Sequence, residues 1–149
     1  MTAPRLNLGD LRELCDRYVP ARSRHRDSIH PADDELWWHA HELGHLLTVD
    51  PSGVGEPMFG LRDGVTPPTE LVCRELAAID VSRRLLASAA RSDLARAELK
   101  GTDYSTVGYP DRGRVRRILR KHRAQRLPRT RASLERRLRQ VVAAARGSR

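Results

Sequence analysis

Residues 37–47 read Trp37-Trp38-His39-Ala40-His41-Glu42-Leu43-Gly44-His45-Leu46-Leu47, and this stretch decides how the rest of the chain is read. His41 and His45 are four apart, so on an α-helix they share a face, one turn above each other. Two imidazoles so placed can bind one Zn²⁺ at about 2.0–2.1 Å each. Glu42 completes the pattern His-Glu-x-x-His. Its carboxylate reaches past the metal toward a water, where it can act as general base. A third protein ligand must come from elsewhere in the chain, leaving a fourth position open. A surface helix that merely carries two histidines fits the same residues. The helix is expected from about Asp34 to Thr48, capped by Asp33 and Asp34 after Pro31, with Glu35 adding favourable charge to its first turn. Trp38 shares the histidine face, whereas His39 points nearly the opposite way and is not counted as a ligand. Gly44 costs a helix roughly 1 kcal/mol against alanine. Its presence points to close approach of another backbone near the metal.

On the C-terminal side, Val49 to Pro68 is rich in Gly and Pro and reads as a loop, with short extended pieces at Met58–Leu61. A loop of that length inside a compact domain can line a cleft or act as a lid. A second strong helix is expected from Thr69, as N-cap, to Ala90. Leu71, Ala78, Leu85 and Ala89 form one apolar stripe, and Val72, Leu76, Ile79 and Leu86 the adjacent one. Glu75 falls inside the first stripe, where a carboxylate is costly unless it is paired or holds a metal. Glu70 and Asp80 lie nearer the polar edge. Glu75 is therefore the choice for third ligand, with a salt bridge to an arginine as the alternative.

On the N-terminal side, Leu8 to Val19 reads as a helix, with Leu8, Leu11, Leu14, Cys15 and Tyr18 at helical spacing, and Pro20 ends it. Ala21 to Ile29 is polar and arginine-rich, and His25 and His30 read as solvated loop residues. Cys15 and Cys73 form no C-x-x-C pair and read as reduced, buried thiols of a cytoplasmic protein. The first residues lack the apolar region of an export signal, and no stretch is long enough to span a bilayer, so no membrane role is expected.

The remainder of the chain is set apart by charge. Residues 1–100 carry 13 Lys+Arg against 16 Asp+Glu, and residues 101–149 carry 15 against 3, so the whole excess of +9 lies in the last third. Arg91 to Lys100 reads as a short helix with Leu94 and Leu99 as its apolar residues, and Gly101 to Gly113 as a linker holding Tyr104 and Tyr109. Arg114 to Leu127 reads as a basic helix ended by Pro128. Val115, Ile118, Leu119 and His122 form its narrow apolar side. Ser133 to Arg146 follows as another helix, with Leu134, Leu138, Val141, Val142 and Ala145 on one face. Arg114, Arg116, Arg117, Arg120, Lys121 and Arg123 would form an electropositive stripe for nucleic-acid phosphate or an acidic protein partner.

His41-Glu42-Leu43-Gly44-His45, followed some thirty residues later by Glu75-x-x-Ala78 and Leu85-Leu86, resembles the ImmA/IrrE family of zincin metallopeptidases over about Asp33 to Leu86. The resemblance implies zinc held by His41, His45 and Glu75, with Glu42 as catalytic base. It also implies a protein substrate, typically a helix-turn-helix transcriptional repressor encoded in a phage or mobile element. Ile79 stands where that family usually has Asn, and residues 20–32 are polar where it commonly has an apolar strand. The expected fold is mainly α, with little or no sheet. A minimal zincin-like metal-binding domain at residues 1–100 carries an arginine-rich helical extension, residues 101–149, packed on it. A zinc-dependent endopeptidase is the leading functional reading. Two others stay open: a non-catalytic module, with or without zinc, that binds nucleic acid or protein through the basic helices, and a phage structural or assembly protein.

Overall fold

The computed structural model describes residues 5–19, 36–48, 69–101 and 112–147; at 69–73, 100–101, 112, 114, 115, 118, 122 and 145–147 it describes the backbone alone. The described residues are mainly helical, with six helices: α1 (Leu8–Tyr18), α2 (Trp38–Thr48), α3 (Thr69–Ser88), α4 (Ser92–Gly101), α5 (Arg112–Arg123) and α6 (Arg131–Gly147). Among them the only β pairing is an isolated bridge between Arg5 and Thr130. None of these helices is long and apolar enough to cross a membrane.

α2 is the centre of the packing. Nine of its eleven residues, Trp38, Ala40 to Leu47, are buried, so it is covered all round instead of presenting one apolar stripe. α3 lies along it, and α1 and α6 cover it from other sides; α4 and α5 pack on α3. α1 starts at a capping box. Asp10 N donates to Asn7 Oδ1 at 2.8 Å and Asn7 N donates to Asp10 Oδ2 at 3.1 Å, satisfying two otherwise orphaned amides. Leu11, Leu14 and Cys15 then face the core.

α3 buries a wider face than its two sequence stripes. Ala78, Ile79, Leu85, Leu86 and Ala89 are buried as expected, and Ala77, Val81 and Ser82 join them. The helix closes in a Schellman turn: Arg91 N donates to Leu86 O at 2.8 Å and Ala90 N to Ala87 O at 3.0 Å, with Ala90 at φ 59°. This sharp stop turns the chain back so that α4 runs along α3. On α4 the buried face is Leu94, Ala95 and Glu98. Leu99, the other large apolar residue of this helix, is 44% exposed, because residues five apart on a helix do not share a face.

α5 ends at Arg123, not at Leu127. Residues 124–129 leave the helix, and side chains satisfy their carbonyls: Arg84 Nη2 donates to Gln125 O and Arg137 Nη1 to Arg126 O at 2.8 Å. α6 brings Leu134 and Leu138, both fully buried, into the same core as Leu11, Leu14 and Leu43. Ion pairs from α6 to α1 surround that contact. Arg131 meets Glu13 at 2.6 Å and Asp10 at 3.3 Å, and Glu135 meets Arg17 at 3.3 Å.

α2 begins at Trp38, later than expected. The anticipated cap at Asp33 and Asp34, His25, His30, the Gly- and Pro-rich stretch 49–68, Tyr104 and Tyr109 lie outside the described residues. So do the side chains of Glu70, Leu71, Val72 and Cys73.

Candidate metal centre

α2 holds His41 and His45 one turn apart, with their Nε2 atoms 3.1 Å from each other. α3 brings Glu75 to the same point. Its Oε2 lies 3.5 Å from His41 Nε2 and its Oε1 3.2 Å from His45 Nε2. All three side chains are buried. The approach depends on Gly44. A Cβ there would lie 3.2 Å from Ala78 Cα and closer still to the Ala78 carbonyl oxygen, so only glycine lets the two helix backbones come this near. Ala78 is one turn beyond Glu75, and Gly44 is next to His45. The closest crossing of the helices therefore sits beside the donors.

Donors about 2.0–2.1 Å from one ion, at tetrahedral angles, stand roughly 3.3 Å apart. The two imidazole nitrogens, 3.1 Å apart, are near that value, and each faces a different Glu75 oxygen, at 3.5 Å from His41 and 3.2 Å from His45. The two distances to Glu75 are longer than a charge-assisted N–H···O bond, typically about 2.7–2.9 Å. His41 provides its own reference: on its other side, Nδ1 lies 2.8 Å from Glu98 Oε1, a true hydrogen-bond distance. The buried charges agree. Glu42, Glu75 and Glu98 are buried, and among the described residues no Lys or Arg side chain is. Buried carboxylates need a compensating cation. These residues could hold a metal ion.

Titration behaviour reflects the same imbalance. Burial opposes a charge on His41, but its polar contacts with Glu75 and Glu98, and their charges, outweigh that and raise its pKa to about 10. Burial alone would raise the Glu75 pKa. The charge on His45 and the contacts with both imidazoles instead hold it well below the usual carboxylate range. The pocket thus favours positive charge, whether proton or metal.

Aromatic rings and a second carboxylate fix His41. Trp38 stacks on it, with centroids 5.4 Å apart and planes 14° apart, and Trp37 meets it edge-on at 5.8 Å. Glu98, fully buried on α4, takes the Nδ1 side, and its Oε2 accepts from Ser82 Oγ at 2.7 Å. Glu98 was not singled out from sequence, although a signal existed. It stands four residues after Leu94 and three after Ala95, on the buried stripe, as Glu75 stands within its own stripe.

Glu42 is buried next to His41 in sequence and lies outside the group of clustered donors. His39 is partly buried and also outside it. Asp80 faces Arg84 at 3.6 Å and Arg123 at 3.5 Å and contributes nothing to the group. On α5, Arg116, Arg117, Arg120 and Lys121 are exposed and form no ion pair among the described residues, while Arg123 is held by Asp80. The side chain of Arg114 lies outside the described residues. Comparisons with protein-family models, curated proteins and solved structures found no match to this chain.

Proposed function

We propose that this chain is a zinc-dependent endopeptidase acting on a protein substrate. The observation that carries the reading is the convergence of His41 Nε2, His45 Nε2 and the Glu75 carboxylate, buried on two closely crossed helices. Two imidazoles and one carboxylate are a donor set suited to catalytic zinc. Bound there, zinc supplies a Lewis acid and a water of lowered pKa. Glu42, buried beside His41 in sequence, would serve as the general base of such a site. Trp38 covers one face of His41 and restricts its ring to one orientation. The resemblance to ImmA/IrrE metallopeptidases supplies the substrate class, a helix-turn-helix transcriptional repressor of a phage or mobile element.

The test compares wild type with Glu42→Gln after metal analysis of each. Candidate repressors encoded in neighbouring genes are incubated with both, and products are followed by mass spectrometry. The expected result is equal zinc content and at least ~10²-fold slower cleavage by Glu42→Gln, the lower range for loss of a general base. Equal cleavage by both proteins would refute the mechanism.

A second reading is favoured by one specific observation, the four exposed basic residues Arg116, Arg117, Arg120 and Lys121 along α5, which form no ion pair among the described residues. Such a stripe suits contact with nucleic-acid phosphate, which weakens steeply with salt and carries little sequence preference. Replacing all four with Gln tests it without removing α6 from the core. Fluorescence anisotropy at two salt concentrations should show the affinity lost, and unchanged binding would dismiss the stripe.

A further inference from the structure

Glu98 is fully buried on a short helix that contributes no member of the donor group, and both of its oxygens are engaged. Its Oε1 faces His41 Nδ1 at 2.8 Å, and its Oε2 accepts the Ser82 hydroxyl at 2.7 Å. Its neighbours on the same face, Leu94 and Ala95, are apolar. A leucine at position 98 would fill such a place if packing were the only requirement. A buried carboxylate is tolerated where it does something a hydrocarbon cannot.

What it does follows from the two nitrogens of one ring. A carboxylate facing Nδ1 keeps the proton on that nitrogen. When His41 is neutral, as a metal ligand must be, its lone pair then lies on Nε2, the atom that faces His45 and Glu75. The carboxylate also makes Nε2 a stronger donor and holds the ring plane. Ser82 prevents Glu98 from rotating away, and the Schellman turn at Ala90 sets α4 against α3 so that Ser82 and Glu98 meet.

We propose that Glu98 is a positioning residue for the metal centre, fixing His41 as an Nε2 ligand, and that Ser82 in turn fixes Glu98. The inference rests on His41, His45 and Glu75 holding a metal. Glu98 touches neither the ion nor a substrate; it acts through His41.

The test uses the full chain, stripped of metal and titrated with Zn²⁺ against a chromophoric chelator. The variants are Glu98→Ala, Glu98→Gln and Ser82→Ala, with Glu42→Gln as a comparison. Circular dichroism establishes that each is folded. Glu98→Ala should weaken zinc binding about 10–100-fold, the usual effect of removing a partner of a liganding histidine. Glu98→Gln should lose less, because its amide oxygen still accepts from Nδ1–H, and Ser82→Ala should shift affinity in the same direction by a smaller factor. Nitrogen-15 NMR of the zinc-loaded protein should show the His41 proton on Nδ1 in wild type and Glu98→Gln. A purely structural glutamate would leave both the graded affinities and that signature unchanged. If Glu98→Ala does not fold, Glu98→Gln and Ser82→Ala decide. Folded variants that bind zinc as wild type does overturn the role of Glu98 alone. A wild-type protein that binds no zinc overturns the metal reading and this inference with it.

Discussion

Gly44 on α2 lies against the backbone of Ala78 on α3, and a Cβ at position 44 would stand 3.1 Å from the Ala78 carbonyl carbon. A backbone cannot move aside as a flexible side chain can. Gly44→Ala should therefore reverse the usual sign. In an exposed helix that change gains up to about 1 kcal/mol; here overpacking should leave a net loss of about 1–3 kcal/mol. Because the crossing sits beside the donors, zinc affinity should fall as well. Urea unfolding and a zinc titration check both, and a more stable Gly44→Ala protein would contradict the close crossing.

His41→Ala, His45→Ala and Glu75→Ala should each cost at least ~10²-fold in zinc affinity, beyond the range for an outer partner. Asp80→Ala should leave it unchanged, since Asp80 is paired with Arg84 and Arg123. Metal content after gel filtration distinguishes them. Loss of zinc in Asp80→Ala with retention in Glu75→Ala would reverse the assignment.

Removal of metal should destabilise the fold. A ligand present at a thousand times its Kd adds about 4 kcal/mol to the native state. For a domain of this size that corresponds to a rise in Tm of roughly 10 °C. Calorimetry with and without chelator measures it, and restored zinc should recover the shift.

The contact between α1 and α6 combines a buried apolar patch with exposed ion pairs, and their contributions should differ. Leu138 is fully buried, so Leu138→Ala should cost about 2–5 kcal/mol. Glu13 is exposed and Arg131 half-buried, so their 2.6 Å contact is open to solvent; Arg131→Ala should cost far less and its effect should shrink in high salt. Denaturant midpoints at two salt concentrations separate the two.

Ala90 adopts φ 59°, the left-handed conformation in which a side chain is strained. Ala90→Gly should relieve more strain than it adds in unfolded-state entropy, raising stability by about 0.5–1 kcal/mol. A thermal melt reads this directly, and a fall in stability would argue against the Schellman turn.

The sequence was most legible where a local rule and a chemical rule coincide. His41 and His45 are four apart, and Glu75 is an acid on an apolar stripe, so a 3.6-residue period alone brings them to one surface. Gly44 was readable for a similar reason, because a glycine inside a helix needs a cause. Glu98 satisfies the same test, but the short helix offers only Leu94 and Leu99 as large apolar residues, and Leu99 faces another way, so the buried stripe is faint. The end of α5 was not legible at all. The carbonyls of Gln125 and Arg126 are satisfied by Arg84 and Arg137, and the first of these lies more than forty residues away. Nor does periodicity say that α2 is covered on every side, since that depends on α1, α3 and α6 meeting around it.

The seam between α1 and α6 also sets an order of events during synthesis. Leu6 N bonds Arg129 O, and Leu134 and Leu138 share a core with Leu11 and Leu14, across more than a hundred residues of chain. A ribosome adding about 5–20 residues per second delivers α6 on the order of ten seconds after α1. Throughout that interval the helix carrying His41 and His45 lacks part of its cover. The ligand helices are made early, yet their enclosure is completed by α6, the last of the described helices to emerge. A nascent chain stalled before Leu134 should therefore be the form most exposed to chaperones and to adventitious metal.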